Sequence, residues 1–242
     1  DGKVIVITGA AGLLGKMHAE AVAAYGGIPI LLDISISDAQ KTANEINSKY
    51  NSGSIAMTVD ITNEEEVEKN VEEILLKFDR IDGLVNNAAN NPKIENNTTK
   101  NFSRLENFPL QTWYDDINVG LTGSFLCSKH YGNIIANNKD GGSIVNISSD
   151  LGLIGPDQRL YMKEGVPVNQ QSVKPVTYSV VKAGLIGLTR YLATYWPDRN
   201  VRCNAMCPGG IENGQLDEFL KEVSARIPMN RLAKVNEYQG TL

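Results

Sequence analysis

The 242-residue chain carries 23 Lys and Arg against 28 Asp and Glu, a formal net charge of −5, and it has no basic cluster of the kind a nucleic-acid partner requires. Hydrophobic residues make up 42% and charged residues 21%, which excludes a disordered chain and allows a sizeable core. No apolar run approaches the roughly 20 residues that cross a bilayer, and Asp1 to Thr8 reads as a strand and not a signal peptide, so no membrane partner and a cytoplasmic location are expected.

Short Val- and Ile-rich runs alternate with longer helical stretches, the pattern of repeated βαβ units. The first strand is predicted at Lys3 to Thr8. It runs into the turn Thr8-Gly9-Ala10-Ala11-Gly12-Leu13-Leu14-Gly15 and a helix over Gly12 to Tyr25, so backbone amides and a positive helix end can face a pyrophosphate. The second strand, Ile28 to Asp33, ends on a carboxylate suited to the hydroxyls of an adenosine ribose. No Lys or Arg follows between Ile34 and Ala39 to attract a 2′-phosphate, so NAD is favoured over NADP.

A helix over Asp38 to Tyr50 leads to a third strand, Ile55 to Asp60. The next helix, Glu64 to Phe78, is capped by Asn63 and opens on Glu64 to Glu66, where the helix dipole favours negative charge. Strands at Gly83 to Asn86, Ser143 to Ser148 and Val201 to Cys207 alternate with helices over Gln111 to Asn137 and Thr177 to Trp196. The prediction is a single-domain α/β Rossmann fold over residues 1–242: a doubly wound parallel sheet, helices on both faces, and ligands beyond the carboxyl ends of the strands. Two polar segments interrupt the rhythm, Asn90 to Pro109 and Gly155 to Pro175. Loops rooted at strand ends often carry substrate contacts.

Cys127, Cys203 and Cys207 have neither disulfide nor zinc-site spacing and read as unpaired thiols. His18 and His130 stand alone in helical patterns, and no metal is predicted.

From these motifs and their order the chain resembles the short-chain dehydrogenase/reductase family over essentially its whole length. Thr8 to Gly15 is similar to that family's cofactor loop, with Gly9, Ala11, Gly12, Leu13 and Leu14 at the phosphates. Asp60-Ile61 is similar to its adenine-binding pair, and Asn86-Asn87-Ala88-Ala89 to its Asn-Asn-Ala-Gly sequence after the fourth strand. Pro208-Gly209 is similar to its nicotinamide-side turn, with Ile211 following. Asn118, Ser149, Tyr178 and Lys182 match its catalytic tetrad.

The resemblance implies hydride transfer by a nicotinamide cofactor, with the protein orienting the substrate and managing one proton. Tyr178 is expected to exchange that proton. A tyrosine ionises near about 10, so it needs a positive charge nearby, and Lys182, one helical turn away, is placed to supply it and to reach the nicotinamide ribose. The resemblance further implies that Ser149, preferred over Ser148 for its place before Gly152, bonds the reacting oxygen, and that Asn118 holds a water relaying protons to Lys182. It also implies that the two long helices pair copies into a homodimer or homotetramer.

Several features depart from the family pattern. The glycine spacing is that of its extended branch, with Leu13 where the shorter branch has a glycine, and Ala89 replaces a glycine. The threonine usual after Pro208-Gly209 is missing. The stretch between Ser149 and Tyr178 is longer than in the shorter branch, and it sets Arg159, Tyr161, Lys163, Glu164, Gln170 and Gln171 over the expected pocket. A bulky hydrophilic small-molecule substrate follows, and with the Pro-Gly-Gly-Ile turn the pattern resembles a subgroup of flagellin-modification and surface-sugar dehydrogenases. The family continues past Leu242 into a last strand, so the sheet is expected to end one strand short, at an uncovered edge. The main expectation is NAD(H)-dependent interconversion of a secondary alcohol and a ketone on a sugar or sugar derivative. A sugar-nucleotide epimerase or dehydratase that keeps its NAD, and a non-catalytic NAD(H) sensor, stay open as alternatives.

Overall fold

The computed structural model describes residues 2–90 and 103–242. These form one parallel sheet, β1 (Val4–Thr8), β2 (Ile28–Asp33), β3 (Ile55–Thr58), β4 (Gly83–Asn86), β5 (Gly142–Ile147) and β6 (Val201–Met206), in the order β3-β2-β1-β4-β5-β6. Helices α1 (Leu13–Ala24), α2 (Ile36–Tyr50), α3 (Glu64–Phe78), α4 (Leu110–Ile117), α5 (Gly123–Asn137), α6 (Val176–Tyr195) and α7 (Asp217–Ser224) complete the fold. None of the described helices is long and apolar enough to cross a membrane.

The alternation of side chains along each strand divides the core in two. Val6, Ile30, Leu32 and Leu84 pack with Val67 and Ile74 of α3 and Tyr131 and Ile135 of α5. Ile7, Leu31 and Val85 pack with Ala19 and Ala23 of α1 and Ala39 and Ala43 of α2. Registers such as Thr8 opposite Leu32, Asn86 opposite Asn146 and Ile147 opposite Met206 bring the carboxyl ends of the strands to one edge of the sheet. The strand order reverses between β1 and β4, which opens a crevice there.

Several elements differ from expectation. The helix expected over Gln111 to Asn137 is two helices joined by a π-helical turn, Asn118–Thr122; Gly120 and Gly123 weaken the ladder there, and π turns recur at functional sites. β3 stops at Thr58 because Asp60 folds back, its carboxylate accepting from the Thr62 amide and hydroxyl. Helix α7 falls in a stretch to which the sequence reading assigns no element, although Asp217 and Glu218 in its first turn suit the helix dipole. The Asn90 to Pro109 loop lies largely outside the described residues; its end carries a 3₁₀ turn, Leu105–Asn107.

The Gly155 to Pro175 insertion is built around 3₁₀ turns at Gln158–Tyr161 and Val168–Gln170. Buried Gln171 ties it together, accepting from the Lys163 amide and donating to the Lys163 and Val166 carbonyls. Asp157 pairs with Arg159 and with Arg226 beyond α7, and Tyr161 lies 6.1 Å from Phe219 of α7, centroid to centroid.

Candidate active site

The glycine turn after β1 closes tightly. Gly9 has φ +60°, and a Cβ there would lie 2.8 Å from Ala88 Cα, so only glycine lets the loops after β1 and β4 touch. Asn87 locks them together: its side chain donates to the Thr8 and Gly9 carbonyls, while the Asn87 and Ala88 amides donate to the Thr8 hydroxyl. Asp33 braces the other side of the turn, accepting from the Ala11 amide at 2.9 Å and from the Ser35 amide at 3.0 Å.

Helix α1 begins with no side-chain cap and no acidic residue in its first turn, its N-cap being Gly12. Its first amides, at Leu13 and Leu14, are therefore free for an anion, and the helix dipole favours one. With 42%-exposed Leu13 beside them and Asp33 at the rim, these residues fit a dinucleotide: amides for the diphosphate, a carboxylate for a ribose. The other candidate cofactor residues surround the same strand edge. Asp60 is exposed and Ile61 buried after β3, and Ala89 is exposed after β4. After β6, the Pro208 carbonyl accepts from the Asp150 amide, the Gly209 amide donates to the Tyr238 hydroxyl, and Ile211 bridges to Ala233.

Beyond this turn lies a cavity of about 80 Å³ lined by Asp116 and Gly120 from the helix break, Tyr178 and Lys182 from α6, and Tyr161 and Lys174 from the insertion. Lys182 is buried; its ammonium donates to the Ile147 carbonyl at 2.7 Å and lies 5.8 Å from the Tyr178 ring centroid. Burial, helped by the charge of Lys174, brings its pKa down to about 8. Burial pushes the Tyr178 phenol upward, hydrogen bonding with Ser149 works against that, and the Asp150 carboxylate adds to it. Lys182 is thus held close to the ring of Tyr178.

The two serines after β5 divide their work. Ser148 is bound into the fold, its hydroxyl donating to the Lys182 carbonyl at 2.6 Å. The Ser149 hydroxyl donates to Asp150 at 2.7 Å and accepts from the Leu151 amide.

Asn118, at the helix break, is solvent-exposed, and neither it nor Ser149 is among the residues lining the cavity. Asp116 of α4 and Gly120 of the π-helical turn both line the cavity. At that turn no side chain fits on Gly120, where a Cβ would lie 2.5 Å from Val181 Cγ1. Asp116 is buried and accepts a hydrogen bond from the Thr177 hydroxyl, tying α4 to α6.

The insertion also contributes differently from expectation. Of the polar residues predicted to cover the pocket, Tyr161 lines it, whereas Gln171 is consumed by the loop and Arg159 by Asp157. Lys174 was missed by the sequence reading: its ammonium sits 3.8 Å from the Tyr178 ring centroid. Its place four residues before Tyr178, just ahead of the Pro that opens α6, was the available signal.

Comparison with known proteins agrees with this geometry. A family model described as enoyl-(acyl carrier protein) reductase matches residues 9–242. An uncharacterized oxidoreductase of Thermotoga maritima is 34% identical over 98% of this chain and 87% of its own length. An NAD-dependent glycerol dehydrogenase of Listeria innocua is 32% identical over 97% and 83%. A post-translational flagellin modification protein A of Campylobacter coli is 25% identical over 100% and 90%. The crystal structure of NAD+-bound xylitol dehydrogenase superposes with a TM-score of 0.81 at 25% identity, over 100% of this chain and 90% of that one. The chain belongs to the short-chain dehydrogenase/reductase family and is an oxidoreductase of that type, built to bind a nicotinamide cofactor and a small-molecule substrate.

Proposed function

We propose that the protein interconverts a secondary alcohol and a ketone on a polar polyol- or sugar-type substrate, with NAD(H) as cofactor and Tyr178 as the proton-exchanging group. The observation that carries this reading is the opening of Tyr178 and buried Lys182 into one cavity beside the glycine turn. When bound, the cofactor supplies or accepts the hydride. Ser149 orients the reacting oxygen, and Tyr178 gives it a proton or takes one. Lys182, poised near neutrality by its burial, offers the positive charge that stabilises the phenolate.

The cofactor preference rests on Asp33. Both of its oxygens are already fixed by backbone amides, and the remaining lone pairs suit ribose hydroxyls, while a 2′-phosphate meets a like charge. The assembly part of the reading has Tyr114 and Phe125 on α4 and α5, and Tyr191 and Tyr195 on α6, as its support: these exposed aromatics suit pairing through those helices. A cytoplasmic location goes with the reading, because the free cofactor pool lies there.

The test is NADH formation at alkaline pH against polyols, sugar acids, sugar phosphates and nucleotide sugars, with NADP as the comparison cofactor and Tyr178→Phe in parallel. The expected outcome is turnover with NAD that falls by at least a thousandfold in the variant, while NADH still binds, as followed by its fluorescence. Turnover retained by Tyr178→Phe sinks the proton assignment. Conversion of a nucleotide sugar without free cofactor would move the protein to the epimerase or dehydratase class.

A further inference from the structure

We propose that Lys174 forms an anion subsite in the substrate cavity, so that the natural substrate carries a carboxylate or phosphate close to the carbinol carbon that reacts. This rests on the reading of the cavity as an alcohol-oxidising site and narrows its substrate class.

The geometry is specific. The Lys174 ammonium lies over the face of the Tyr178 ring, 3.8 Å from its centroid, and the residue lines the same cavity as Tyr178 and Lys182. Its backbone is anchored, the amide donating to Gln158 Oε1 at 2.8 Å, and the adjoining Pro175 holds φ at −54° as the N-cap of α6. The charged end is not paired: among the described residues no oxygen accepts a hydrogen bond from its Nζ, and the ring face is its partner. A ring-face contact offsets only part of the cost of partly burying a cation, and that burial depresses the Lys174 pKa. The site is thus short of an anion.

The surrounding charges do not fill the gap. Lys182 is a second cation and is committed to the Ile147 carbonyl. Asp116 accepts from the Thr177 hydroxyl. Asp150, whose charge is felt by Lys174, is held by the Ser149 hydroxyl and the Leu151 amide. The Tyr178 hydroxyl marks where the reacting oxygen must lie. An ammonium on the face of that same ring reaches substituents one or two carbons further along the substrate, and a Lys there reads an oxyanion as a point charge without demanding the planar fit that Arg requires.

The test uses xylitol, xylonate and xylitol 5-phosphate as a matched neutral, carboxylate and phosphate set, with the full chain, Lys174→Met and Lys174→Arg. Unchanged melting temperature and NADH binding establish that the variants fold. The expected result is a kcat/KM at least tenfold higher for one anionic member than for xylitol. Lys174→Met should bring that ratio to near one, Lys174→Arg should keep part of it, and the favoured anion identifies the group.

A ratio of one in the parent protein overturns the proposal, as does a ratio that survives Lys174→Met. So does an equal loss on neutral and charged substrates accompanied by a shifted pH profile, because that would make Lys174 a partner of Tyr178 alone. Calorimetric binding of xylonate and xylitol 5-phosphate to the NAD-loaded protein separates the two readings. Lys174-dependent anion binding in a protein that oxidises no alcohol removes the proposed function and keeps the subsite, whereas alcohol oxidation without such binding does the reverse.

Discussion

Asn118 and Ser149, both matched to a role by spacing, sit in different surroundings in the fold. Ser149 follows β5, is 4% exposed, and its hydroxyl donates to Asp150 at 2.7 Å. Asn118 stands exposed at the helix break. Asn118→Ala is expected to keep kcat/KM within about threefold, because an exposed side chain with no hydrogen-bond partner among the described residues contributes little. Ser149→Ala should lower kcat/KM by about a hundredfold or more, the usual scale for removing a donor to the reacting oxygen. Parallel steady-state assays of the two variants, with NADH affinity as the folding control, decide the matter; a hundredfold loss in Asn118→Ala would return that residue to the site.

At the scale of elements, the residues that hold the site divide into those visible from local chemistry and those set by tertiary contact. Asp33, the glycine turn and Asn87 could be read because each ends a strand or opens a helix, and in a parallel sheet every such end lies at one edge. The helix break could not be placed to the residue, since Gly120 is required by Val181 across the α6 packing and no local pattern encodes that neighbour. The sequence reading assigns Gln171 to the substrate pocket for the same reason: a glutamine in a polar loop reads as a free hydrogen-bonding group until its three hydrogen bonds inside the insertion are seen. Because it is 4% exposed, Gln171→Leu strands the Lys163 amide and two carbonyls, at a cost of about 1–3 kcal/mol. The insertion carries the Tyr161 and Lys174 wall of the cavity. The expected result is therefore a raised KM for substrate, NADH affinity nearly unchanged, and faster limited proteolysis within residues 155–175. A KM equal to the parent's would mean that the wall stands without this tie.

The whole molecule has a pH dependence of stability that its catalytic groups do not set. His18 on α1 is fully buried, neither ring nitrogen has a hydrogen-bond partner among the described residues, and burial lowers its pKa from 6.5 to about 4. The folded state thus keeps a neutral imidazole while the unfolded chain takes up a proton below about 6.5, so stability is full above that value and drains away as pH falls toward 4. From the two pKa values the loss between pH 7 and pH 5 is about 2 kcal/mol. The carboxylates held low by ion pairs act in a separate window. Asp82, where burial pushes upward but hydrogen bonds from Arg80, the Val4 amide and Lys3 outweigh it, and Glu237, brought to about 2 by Arg231, lose their contribution as pH falls from about 4 downward. Urea midpoints measured from pH 7 to pH 5 should therefore decline in the parent protein and stay nearly level in His18→Leu, which removes the proton uptake and leaves no unpaired ring nitrogen. An equal decline in both proteins would assign the acid sensitivity to other groups and leave the buried histidine without a thermodynamic role in this range.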